Sequence, residues 1–170
     1  MFDRVFSVVI PCYTLGQYVD EAVDSVLART FQDIEIVSVN DGSTDPLTNE
    51  LLANYRRPKT RVITTESHGV MAARNMAIEQ STGTYVSALD PDDRLEPTYF
   101  EEAFRILEAN DSVTWVSSWL RMFGDEDWEW KPERRDLATL LGEQTVCTPA
   151  PVRRAAVVAI GGYDQRMPTE

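Results

Sequence analysis

The sequence predicts an α/β fold, a mostly parallel sheet with helices on both faces, and three observations carry that prediction. Strand-like and helix-like segments alternate four times over roughly 100 residues, the order that builds a parallel sheet through right-handed crossovers. The first strand-like segment is a continuous apolar run, as in a strand buried on both faces. The unusual polar residues gather where the strands end, and open sheets of this kind collect their ligands at those ends.

Each element has a local reason. Residues 6–10 form a β-prone run closed by Pro11. Leu15, Tyr18, Val19, Ala22, Val23, Val26 and Leu27 then step by three and four, which predicts an amphipathic helix to about Arg29. A second strand over 34–39 ends in the turn-forming cluster 40–45. Asp45 followed by Pro46 reads as an N-cap with proline at the first helical position, and Leu47, Leu51, Leu52 and Tyr55 mark the short helix behind it. Residues 61–65 are a third strand. A helix over 70–81 buries Val70, Ala73, Met76 and Ala77, with Gly83 as its stop. The fourth strand, 85–89, runs into an acidic triplet. Pro97 opens another helix with Phe100, Phe104 and Leu107 inward, and 113–118 reads as a fifth strand.

The bulk numbers narrow the function classes. A chain of 170 residues, 43% hydrophobic and 26% charged, is sized for one globular domain. Its formal charge of -12 argues against a nucleic-acid polymer as partner, since such binders carry a basic footprint. A nucleotide is still compatible, because one metal and one or two arginines can meet its few charges. Cys12 and Cys147 have no metal-ligand spacing and make no disulfide framework, so reduced thiols and a cytoplasmic setting are expected. No apolar run approaches the ~18 residues of a membrane span.

The chemistry centres on residues 84–93, where an apolar strand ends in Asp90, Asp92 and Asp93. Three carboxylates in four positions repel one another unless a cation or donors neutralise them. Hard divalent ions such as Mg²⁺ take one or two carboxylates and leave other positions to water and phosphates. A metal carrying a diphosphate is one reading, and a solvated acidic turn before the next helix is the other. The polar clusters 11–13, 40–43, 66–68 and 90–93 all follow strands, and that convergence favours the ligand site. The first strand-to-helix turn has only Gly16, and no Gly-rich loop ends in Lys-Ser/Thr. Dinucleotide-binding dehydrogenases and P-loop nucleotidases are thereby set aside.

Four motifs in order, Val8-Val-Ile-Pro-Cys-Tyr13, Val39-Asn-Asp-Gly-Ser-Thr-Asp45, Gly69-Val-Met-Ala-Ala-Arg-Asn75 and Leu89-Asp-Pro-Asp-Asp93, resemble the family 2 glycosyltransferases, which have the GT-A fold. The likeness covers residues 5 to about 100 and continues more weakly through Arg153-Arg154 to Gly161-Gly-Tyr-Asp164. It implies inverting, metal-dependent transfer of a sugar from a nucleotide diphosphate, UDP or dTDP, to a hydroxyl acceptor on a saccharide, lipid or protein. Pro11 and Tyr13 would frame the base, and Asp41 would accept from an imide N–H. Arg74 would meet base or diphosphate oxygens. Asp90 and Asp92 would be the Asp-x-Asp pair for Mn²⁺ or Mg²⁺, Asp92 the direct ligand, with Asp93 in support. His68 is expected to be a loop residue.

The resemblance also implies an acceptor half with a carboxylate base. Only Glu170, at the end of the sequence, is a candidate for that acidic motif, so the acceptor side is expected to continue beyond it. The single domain 1–170 would then bind donor and turn over poorly alone, and the intact protein would work in the cytoplasm or at the inner face of the membrane. Two other classes stand beside the transferase: a nucleotide-sugar-binding module without activity, and a sugar nucleotidyltransferase. The latter would want a Gly-rich loop and a nearby lysine, whereas Lys59 and Lys131 lie in no strand-edge motif. Trp115, Trp119, Trp128 and Trp130 offer either a sugar-stacking surface or, more simply, core or oligomer packing. The sugar, the acceptor and self-association are open at this level.

Overall fold

The computed structural model describes residues 5–132 and 146–167. Four strands, β1 (Phe6–Cys12), β2 (Ile34–Asp41), β3 (Thr60–Thr65) and β4 (Tyr85–Ala88), are linked by α1 (Gly16–Leu27), α2 (Pro46–Ala53) and α3 (Val70–Gln80). α4 (Tyr99–Ala109) follows, then a small hairpin of β5 (Leu120–Arg121) and β6 (Glu129–Trp130). β7 (Val152–Arg153) and α5 (Arg154–Ala159) complete the described elements. The main sheet has the order β3-β2-β1-β4-β7, parallel except for β7, which pairs antiparallel with β4.

The pleat sorts the apolar side chains into two cores. Phe6, Val8, Ile10, Ile36, Tyr85 and Leu89 face α1, α2 and α4, where Val19, Val23, Leu52, Phe100 and Leu107 meet them. Phe6 is the hub, with ring centroids 4.8 Å from Phe100 and 5.2 Å from Tyr85. On the other face Val9, Val37, Val39, Val86 and Ala88 pack against Ala73, Ala77 and Ile78 of α3 and Val157 of α5. β1 and β2 are buried along their full length, because both faces are covered. Small side chains on α3 bring that helix close to the sheet, and its contacts there are made with β1 and β2.

Five sequence-based expectations need correcting. Residues 113–118 form no regular strand: only Trp115 bridges Val152, with flanking backbone bonds to Pro151 and Arg153. β7 occupies the β4 edge instead, and competition for that edge overrides local β propensity. α4 begins at Tyr99 rather than Pro97, and α1 ends at Leu27. Tyr18 and Leu47, placed by periodicity on buried faces, are 41% and 74% exposed, because each lies at the margin of its helix's apolar arc. None of the four tryptophans is buried, so they are not core residues.

At the amino-terminal edge of the sheet, polar groups are tied to one another. Glu35 is buried on β2, and its carboxylate accepts from Ser7 Oγ (2.8 Å), Thr82 N (2.6 Å) and Thr82 Oγ1 (2.8 Å). Ser7 Oγ in turn accepts from Gly83 N at 2.9 Å, so the turn after α3 is pinned beneath β1 and β2. Gly83 fits this spot because a Cβ there would lie 2.6 Å from Ser7 Oγ. Glu35→Ala strands several buried donors, and we expect it to lower unfolding free energy by about 2–4 kcal/mol. A urea midpoint unchanged from wild type would refute this.

Candidate active site

The carboxyl-terminal edge is arranged differently. β2 and β3 lie to one side of β1, and β4 and β7 to the other, so the ends of β1 and β4 flank a topological switch point. Pro11 is buried at the end of β1, and Tyr13 just beyond it is 44% exposed, presenting an aromatic surface to solvent. β2 ends one strand away in Asp41, and β4 leads on the other side into Asp90.

Asp41 organises its side of the rim. Its carboxylate accepts from the backbone N–H groups of His68 and Gly69, both at 2.9 Å, and so fixes the loop that starts α3. His68 serves there through its backbone, on an exposed loop. Gly42 makes the close approach feasible: its φ is +61°, and a Cβ would sit 2.4 Å from Ser67 N. Asn40 and Asn49 hold the rest of the turn, Asn40 Oδ1 accepting from Ser43 N at 3.0 Å and Asn49 Nδ2 donating to Ser43 O at 2.8 Å. Asp45 caps α2 as expected, accepting from Thr48 N at 2.9 Å.

With its start pinned, α3 carries Arg74 to the acidic loop. Arg74 Nη2 donates to Asp90 Oδ1 at 2.7 Å, and the two side chains are 11% and 31% exposed. The guanidinium also lies 5.5 Å from the Tyr163 ring centroid. Its Nε is buried with no partner among the described residues. The next residue, Asn75, grips the loop after α5: Nδ2 donates to Tyr163 O at 2.9 Å, and Oδ1 accepts from Tyr163 N at 2.8 Å. Sequence reading gave Asn75 and Tyr163 no role, although both lie in the motifs it singled out. The signal was the adjacency of Arg74 and Asn75, one aimed at the rim and the other at its wall.

The three acids differ in setting. Asp90 is engaged by Arg74, Asp92 is exposed, and Asp93 is half-buried, its N–H donating to Asp90 O at 3.0 Å. Burial, then Asp90 and Asp92, push the Asp93 carboxyl up to about 6, with Arg74 pulling it the other way. Among the described residues no three His, Cys, Asp or Glu side chains form a closed metal cage. Asp92, exposed, with Asp90 and Asp93 near it, leaves one or two carboxylates that could share an ion with phosphate oxygens. Cys12 adjoins the rim but stays out of its chemistry, since burial raises its thiol to about 11. Glu170, the expected acid of the acceptor side, lies outside the described residues.

Comparison with known proteins gives the family and the fold. Residues 7–157 match the family described as Glycosyl transferase family 2. Glycosyltransferase GlyA of Streptococcus pneumoniae is 35% identical over 107 residues, covering 62% of this chain and 15% of GlyA. The crystal structure of S. aureus TarS 1-349 in complex with UDP-GlcNAc superposes with a TM-score of 0.68 at 21% identity, covering 94% of this chain and 48% of that one. Mannosyltransferase PcManGT from Pyrobaculum calidifontis, in complex with GDP-Man and Mn²⁺, gives 0.70 at 21% identity over 98% of this chain and 49% of that one. The two structures share the GT-A fold with this chain, which spans about half of each.

The raised Asp93 value has a consequence for stability. The folded carboxyl holds its proton more tightly than the unfolded one, whose ordinary value is 3.8. Ionised Asp93 therefore destabilises the metal-free fold above about 6, and the penalty is absent below 3.8. Asp93→Asn is expected to raise Tm at neutral pH and to leave it unchanged near pH ~4. Equal Tm values for variant and parent at both pH values would show that the carboxylates do not strain the loop.

Proposed function

Because this chain belongs to glycosyl transferase family 2, we propose that it binds a nucleotide-diphosphate sugar, with UDP or dTDP as the nucleotide, in the crevice between β1 and β4. The whole protein then transfers the sugar, with inversion, to a hydroxyl on a saccharide, lipid or protein, in cell-wall or polysaccharide biosynthesis. The observation that carries this reading is the Arg74–Asp90 pair, which brings a guanidinium to the acidic loop at the switch point, two residues before exposed Asp92. The nucleotide sugars bound by TarS and PcManGT, and the Mn²⁺ in the latter, support the donor class and a divalent ion.

The residues divide the work. Tyr13 stacks on the base above the floor set by Pro11. Asp41 accepts from an imide N–H through Oδ1, which keeps a lone pair beyond its bond from His68 N, while Oδ2 is met by Gly69 N and Ser67 Oγ. Asp92, with Asp90 and Asp93 beside it, holds Mn²⁺ or Mg²⁺, which when bound supplies Lewis-acid stabilisation of the departing diphosphate. Arg74 donates to the same diphosphate, where negative charge grows in the transition state. A carboxylate base on the acceptor side, for which Glu170 is the candidate, takes the proton of the attacking hydroxyl. Two free and buried cysteines suit a cytoplasmic setting, and no helix among the described residues is long and apolar enough to cross a membrane.

A second reading, donor binding without transfer by this chain alone, is favoured by its spanning only about half of its structural neighbours. Assays of transfer and of UDP binding separate the two. Asp92→Ala is expected to weaken Mn²⁺-dependent UDP binding at least ~tenfold, a loss of about 1.4 kcal/mol, with Tm retained or slightly raised. UDP should also bind more tightly than GDP. A variant that binds UDP with Mn²⁺ as well as the parent removes the metal assignment, and tighter GDP removes the pyrimidine assignment.

A further inference from the structure

A second concave surface lies on the far side of the acidic loop. Between α4 and the β5–β6 hairpin is a cavity of ≈ 600 Å³, within the range of about 300–1,000 Å³ usual for small-molecule sites. Asp93 is part of its wall, so the cavity adjoins the proposed donor crevice directly. The hairpin belongs to a separate two-stranded sheet, and it turns aromatic residues toward solvent rather than into either core. Trp119 and Phe123 line the cavity and are 66% and 49% exposed. Lys131 Nζ lies 4.5 Å from the Trp119 ring centroid, and Arg94 lies 4.6 Å from that of Phe123. A cation over one face of a ring leaves the opposite face for a ligand.

We infer that this cavity seats the acceptor as a neutral saccharide, stacked on Trp119 and Phe123 and hydrogen-bonded by the surrounding carboxylates. Sugar rings combine an apolar C–H face with a rim of hydroxyl donors, and the lining combines aromatic faces with acceptor oxygens in the same way. Four carboxylates, on Asp93, Glu96, Glu102 and Glu129, face two guanidiniums, on Arg94 and Arg121. Both guanidiniums are already paired: Arg94 with Glu21, and Arg121 with Asp127 at 3.0 and 3.1 Å; Glu129 is likewise paired, with Lys131 Nζ at 2.5 Å, so the surplus acid of the lining is on Asp93, Glu96 and Glu102. Glu102 accepts from Thr98 Oγ1 at 2.7 Å and keeps a second oxygen for a ligand hydroxyl. The local field is therefore negative, and it opposes uronate-bearing or phosphorylated acceptors. Acidic lining and exposed aromatics together thus select against charge while favouring a sugar face.

The name acceptor rests on the donor reading above, whereas the saccharide site stands on its own observations. Saturation-transfer NMR titrations on the intact chain test it, with triacetylchitotriose and maltotriose as neutral probes and a hyaluronan tetrasaccharide as the anionic one. We expect a neutral probe to bind with a millimolar Kd, and to bind at least ~tenfold more weakly to Trp119→Ala and to Phe123→Ala. The anionic probe should bind at least ~tenfold more weakly than the neutral ones. Both side chains are exposed, so the variants should fold, and their Mn²⁺-dependent UDP binding should match the parent's. No binding by either neutral probe, binding unaffected by both substitutions, or equal binding of the anionic probe overturns the inference. Saccharide binding that needs Trp119, in a chain that binds no UDP, would uphold the groove and sink the donor reading.

Discussion

Three carboxylates crowd the end of one buried strand, and a single guanidinium from the next layer restrains them. Asp90 takes that guanidinium at 2.7 Å, while Asp93 remains half-buried and holds its proton up to about 6. A loop with so much like charge is a poor stabilising element and a good place for a cation. The pair between Arg74 and Asp90 therefore works as an alignment device more than as a source of stability, since burying such a pair costs desolvation that its attraction only partly offsets. Everything else at the rim serves to bring Arg74 to that point. Asp41 fixes the loop before α3, the helix carries Arg74 forward, and Asn75 locks the Tyr163 loop behind it.

The two edges of the sheet show why one is structural and the other is open to ligands. At the amino-terminal edge, Ser7, Glu35, Thr82 and Gly83 bond mainly to one another across β1, β2 and the turn after α3. At the carboxyl-terminal edge Tyr13 is exposed and Asp92 faces solvent. Polar groups satisfied internally hold a fold together, and polar groups left pointing outward await something else. The same contrast separates the two cysteines' neighbourhood from the acids': Cys12 is buried with a thiol raised to about 11, and it only packs.

Around this rim the chain presents two surfaces of different chemistry. One, at the carboxyl ends of β1 and β4, is the rim where Arg74 meets Asp90 and where we propose that the nucleotide diphosphate binds. The other, beneath the β5–β6 hairpin, combines aromatic faces with a surplus of carboxylates, and is where we infer that an uncharged sugar binds. Asp93 belongs to the loop of the first and to the wall of the second. A transfer reaction needs two reactants to meet at one point, and a shared wall is a simple way to arrange that.

Local chemistry in the sequence determined that the first four strands run parallel, the cap at Asp45 and the gathering of Pro11, Asp41 and Asp90 at the strand ends. Continuous apolar runs, helical periodicity and turn residues act over a few positions, so they can be read without knowing the partners. Tertiary structure alone decided that β7 rather than residues 113–118 would take the β4 edge, because that is a competition between segments distant in the chain. It alone decided that Arg74 would meet Asp90, that Asn75 would hold Tyr163, and that Trp119 would stay exposed on a hairpin. Those outcomes depend on which surfaces come to face each other when the layers pack, and no spacing along one strand or helix encodes that.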